Sequence, residues 1–238
     1  MTKLELKKSK TILWTITIIV FLALVSLIIF KQEGVKVVFQ EESPLSGRAA
    51  SFIADTPPVL LSDDYILGST KAPIKVVVYE DYASQFSADN ADNLDKVRSE
   101  FGKSVAVIVR PFAVRGNTDS LILAMAVRCA GEQGEWEKMR IRIFELLRED
   151  KTTEQSLIDA AQELKLNQED FVSCLTDIEK QGIILQETAA AKTNSVYGAP
   201  TLFINDDIIV GARPYEDYID SDGKEVEGLK TIVSQYLQ

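Results

Sequence analysis

The chain of 238 residues contains no histidine and two cysteines, Cys129 and Cys174. These counts restrict what its side chains can do. Without imidazole, a Ser-His-Asp nucleophile is impossible. A transition-metal site is also not expected, because such sites draw on imidazole and clustered thiolates, and here the two thiols stand 45 positions apart. No cofactor is implied. The two thiols admit three readings: a structural bridge in an oxidising compartment, two buried reduced side chains, or a redox pair. Two serines in Ser84-Gln85-Phe86-Ser87 fall where a helix is expected to start, a place that stabilises negative charge. No Ser-x-x-Lys or Gly-x-Ser-x-Gly pattern surrounds either hydroxyl, so their expected role is helix capping, not catalysis.

The elements that position these residues can be read from hydrophobic patterning. Ile74 to Tyr79 is an almost continuous β-branched run, the pattern of a strand buried on both faces. A helix capped by Ser84 or Ser87 is expected to run to about Phe101, with Ala91, Leu94, Val97 and Phe101 at helical spacing. Val105 to Val109 then completes a β-α-β unit, which requires parallel strands. Residues from about 117 to 194 carry amphipathic stretches and no strand pattern, so they form a helical insertion. Thr201 to Ile204 and Ile208 to Val210 read as a hairpin turning at Asn205-Asp206-Asp207, followed by a last helix over about residues 227–237.

Between Thr11 and Phe30 lie twenty residues without a charge. As a helix they would rise about 30 Å, the thickness of a bilayer core. Lys3, Lys7, Lys8 and Lys10 precede them, so the positive-inside rule puts residues 1–10 in the cytoplasm and the rest outside. A cleaved signal peptide fits less well, because the apolar run is long and no Ala-x-Ala site follows. Residues 31–57 collect Gly, Ser, Pro and Glu and read as a linker to a folded domain at 58–238. The expected location is therefore a cell membrane, crossed once, with the domain extracytoplasmic. The net charge of −10 makes nucleic acid an unsuitable partner.

Several segments in order carry a resemblance. They are Tyr79-Glu80-Asp81-Tyr82 before Ser84, Val109-Arg110-Pro111-Phe112, the stretch from Cys129 to Trp136, Phe171-Val172-Ser173-Cys174-Leu175, Gly198-Ala199-Pro200-Thr201, and Gly211-Ala212-Arg213-Pro214-Tyr215. Together they resemble the DsbA-like thiol-disulfide oxidoreductases, whose fold is an α/β thioredoxin fold with a helical insertion between the β-α-β unit and the C-terminal hairpin. The departures fall on the chemistry. Ser84 and Ser87 stand where the family has Cys-x-x-Cys, and Gln85 where it usually has proline. A hydroxyl cannot form a mixed disulfide.

The resemblance implies a structural disulfide between Cys129 and Cys174. It also implies a cis bond before Pro200 and a substrate groove at Tyr82, Phe86, Ala199, Pro200 and Thr201. The expected function is a membrane-tethered, redox-inactive domain that binds exported proteins or extended peptides, or scaffolds them. The alternatives are an oxidoreductase or isomerase working through Cys129 and Cys174, and a structural envelope subunit.

Overall fold

The computed structural model describes the backbone of Ser51–Ile53 and residues 58–237. The segment at 11–30 expected to span a membrane, and most of the linker before the domain, lie outside the described residues. Among the described residues, no helix is long and apolar enough to cross a membrane.

A mixed six-stranded sheet forms the centre, in the order β1-β6-β5-β3-β4-β2. In its interior β3 (Ile74–Glu80) and β4 (Val105–Pro111) pair in parallel, from Ile74 opposite Val105 to Glu80 opposite Pro111. Both are rich in valine and isoleucine and almost wholly buried, as strands covered on both faces must be. The crossover between them is α1 (Gln85–Phe101), which buries Ala88, Ala91, Leu94 and Val97 and ends at Gly102, where φ is 53°. A side chain is strained in that conformation, so glycine suits the stop. On the other side, β5 (Thr201–Ile204) runs antiparallel to β3 and continues through a turn into β6 (Asp207–Val210). Asn205 holds the turn with φ 50°, and its side chain accepts the Lys75 N–H at 3.0 Å.

Two strands were not foreseen as such. The first is β1 (Ser51–Ile53), which pairs with β6 inside the segment expected to be linker. The second is β2 (Tyr65–Leu67), which pairs antiparallel with β4 inside the expected approach loop. Each has three residues, too few for a period-2 pattern to emerge, and the partner strand specifies them instead. A two-stranded ribbon, β7 (Tyr218–Ile219) with β8 (Glu225–Val226), was missed for the same reason. The last helix, α7 (Leu229–Gln235), is shorter than the expected 227–237.

The insertion between β4 and β5 holds five helices: α2 (Thr118–Gly131), α3 (Trp136–Arg148), α4 (Glu154–Glu163), α5 (Gln168–Leu175) and α6 (Ile178–Ala191). Four begin at Asn117, Thr153, Asn167 and Asp177, whose side-chain oxygens accept backbone N–H groups that a helix start leaves unpaired. The insertion has its own apolar core, including Leu123, Met139, Ile143, Phe171 and Ile184. Two further clusters cover the faces of the sheet. One joins β3, β4 and β5 to α1 and α7, and the other reaches Ala191 and Val196.

Candidate functional site

The register of β3 and β5 sets Thr201 opposite Tyr79. The turn after β3 and the loop before β5 therefore leave the sheet at the same end, bringing the Ser84 turn and the Ala199-Pro200 loop to one edge. The Ala199-Pro200 bond is cis.

Both serines are engaged in the backbone. Ser84 is the N-cap of α1, and its hydroxyl oxygen accepts the Ser87 N–H at 3.4 Å. Ser87 is fully buried, and its hydroxyl oxygen accepts the Asp81 N–H at 3.2 Å. The two hydroxyls thus close the turn that carries them. Asp81 points the other way, accepting from the Ala83 N–H at 2.9 Å and from the Ser120 hydroxyl at 2.7 Å. Burial raises its pKa above the ordinary carboxylate value, and those two hydrogen bonds oppose the shift. Among the described residues, no basic side chain hydrogen-bonds to either serine hydroxyl.

Beneath the turn, the Glu80 carboxylate accepts two hydrogen bonds from Arg140, at 2.7 and 2.6 Å, with both side chains buried. Burial acts to lower the Arg140 pKa, but the Glu80 charge and hydrogen bonds outweigh it, and the guanidinium stays charged. Because Glu80 ends β3 and Arg140 sits in α3, this pair ties the sheet to the insertion. Gln85 donates to the Leu147 carbonyl at 3.1 Å, and Arg148 donates to the Ala88 carbonyl at 3.0 Å and pairs with Asp92, so α1 is fastened to α3 as well.

The expected groove residues divide. Phe86 is 68% exposed in the first turn of α1, and Ala199 is half-buried. Pro200 is buried beside them. The Tyr82 and Thr201 side chains are buried as well. Tyr82 turns down against Phe144, with ring centroids 5.5 Å apart, and its hydroxyl has no partner among the described residues. Burial pushes that hydroxyl's pKa well up. Thr201 donates its hydroxyl to the Gly198 carbonyl at 2.8 Å. Sequence reasoning missed Tyr197, which is 77% exposed just before the loop. A large aromatic immediately ahead of Gly-Ala-Pro was the available signal.

Cys129 and Cys174 form a disulfide joining α2 to α5. Both sit in the last turn of their helices, where the helix dipole disfavours a thiolate. Lys180 lies 3.7 Å from the Cys174 sulfur, but its ammonium is already paired with Glu132 at 2.6 Å.

Residues 61–220 match the family described as Thioredoxin. Among curated proteins, the chain is 27% identical over 162 residues to Na(+)/H(+) antiporter NhaA 3 of Salinispora tropica, which covers 68% of this chain and 24% of that protein. The chain therefore spans about a quarter of that relative's length. Similar solved structures include a thioredoxin-like oxidoreductase from Silicibacter pomeroyi (19% identity, 74% of this chain and 91% of that one, TM-score 0.59). Wolbachia pipientis alpha-DsbA1 aligns at 19% identity over 75% of this chain and 92% of that one, with TM-score 0.57. The catalytic domain of Proteus mirabilis ScsC aligns at 23% identity over 73% and 89%, with TM-score 0.55. At these identities the structures establish the fold, and the sequence match over 61–220 establishes the kinship: the chain belongs to the thioredoxin family.

Proposed function

We propose that this protein is a membrane-tethered, extracytoplasmic DsbA-like domain that binds extended segments of exported proteins without redox chemistry. The observation that carries this reading is the use of Ser84 and Ser87 as backbone acceptors beside an intact, partly apolar surface. Phe86 and Tyr197 are both exposed there, and Phe86 borders a depression of about 510 Å³ shared with Pro214, Tyr215 and Tyr218. Neither the N–H nor the carbonyl of Ala199 has a hydrogen-bond partner among the described residues. An extended peptide could pair with that backbone as an added strand and set an apolar side chain against Phe86.

Photo-crosslinkers placed at Phe86 and Tyr197 of the full chain in native membranes test this. Expected are adducts with exported proteins that diminish when Ala199 is replaced by proline, which removes the N–H. Adducts indifferent to that substitution, or none above a crosslinker on the far side of the domain, would sink the reading.

The disulfide raises the competing possibility of an oxidoreductase using Cys129 and Cys174. The purified protein should turn over a model disulfide or dithiol no faster than the Cys129→Ala, Cys174→Ala variant. A rate above that variant would favour the enzyme.

A further inference from the structure

A second concavity, of about 530 Å³, lies between the β2–β4 edge of the sheet and the insertion. That volume falls in the small-ligand range of about 300–1,000 Å³. Ser84, Phe86 and Ala199 are not among its lining residues, so it is separate from the site above. Val59, Leu61, Val109 and Ala190 supply apolar walls. One wall is held firmly: Tyr65 stacks on Trp136 with ring centroids 4.7 Å apart, and a side chain at position 131 would collide with its ring, so Gly131 leaves the room it needs.

The charges in this cavity are unevenly answered. Arg110 is fully engaged: it donates to both Asp64 oxygens at 2.7 and 2.8 Å, to the Tyr79 hydroxyl at 3.0 Å and to the Val59 carbonyl at 2.7 Å. Arg128 faces Glu187 at 3.0 Å, and Glu132 is answered by Lys180. An incoming anion thus finds each guanidinium already matched with a carboxylate. Asp63, exposed at the same cavity, has no ion pair among the described residues and leaves the balance negative. The Tyr65 hydroxyl also lines the cavity without a hydrogen bond among the described residues, and burial raises its pKa to about 12, so it remains a neutral oxygen able to accept from a cation.

We propose that this cavity is a second ligand site that takes a small organic cation, a protonated primary amine on an apolar or aromatic body. The body packs on Val59, Leu61 and Val109, and Asp63 answers the ammonium.

Phenylbutylamine and phenylbutyrate, which share a body and differ in charge, serve as probes. The chain has two tryptophans, Trp14 and Trp136. In the full chain carrying Trp14→Phe, assembled in lipid nanodiscs, Trp136 fluorescence reports binding through its stack with Tyr65, with empty nanodiscs as the control for partitioning. The amine should bind saturably and roughly fivefold tighter than the carboxylate, the scale of one exposed charge contact. Asp63→Lys should invert that preference, and Ala190→Phe, at an exposed helix position, should block both probes. Equal binding of the two probes, a preference untouched by Asp63→Lys, or no saturable binding would each overturn the proposal.

Discussion

Ser87 has a structural role in the turn that follows β3. Its hydroxyl is the acceptor for the Asp81 N–H in a buried turn, so Ser87→Ala should destabilise the domain by about 1–3 kcal/mol, measured by urea unfolding. Ser84→Ala should cost about 1 kcal/mol, the usual value of an N-cap. Asp81 has a pH signature. Its folded pKa is raised above the ordinary 3.8, so the folded state holds the proton more tightly than the unfolded chain. Its contribution to stability is fully present below 3.8 and is lost as pH rises through the raised value. Asp81→Asn keeps an acceptor oxygen and should flatten that part of the stability profile, measured by thermal unfolding across acidic pH. The capping role expected of Ser84 was legible in the sequence, because the apolar spacing of the helix fixes where it starts. The burial of Tyr82 was not, because it depends on where Phe144 of a distant helix comes to rest.

The elements best read from sequence were those with enough length to show a period: β3, β4 and α1. The short strands β1 and β2 were invisible because their partners define them. The helical insertion was foreseen, but its attachment to the sheet was not. That attachment rests on the Glu80–Arg140 pair, which joins residues 60 positions apart. Glu80→Gln or Arg140→Met alone should cost about 3–5 kcal/mol by leaving one buried group without its partner. Replacing both with leucine should cost much less, and a double-mutant cycle in urea separates the two outcomes. The Cys129–Cys174 bridge acts inside the insertion, across a separation of 45 residues. Loss of both cysteines should reduce stability by about 4 kcal/mol in the chain-entropy account.

Across the whole molecule, the thioredoxin scaffold is present, and serine stands at the two positions where the resemblance places cysteine. The fold alone assigns no activity. The disulfide that fastens α2 to α5 also bears on how this protein ages outside a cell. A protease that cuts once between Cys129 and Cys174 severs the chain but releases nothing, because the two pieces remain joined through sulfur. Such a nicked molecule would migrate as one band on a non-reducing gel and as two after a reductant is added.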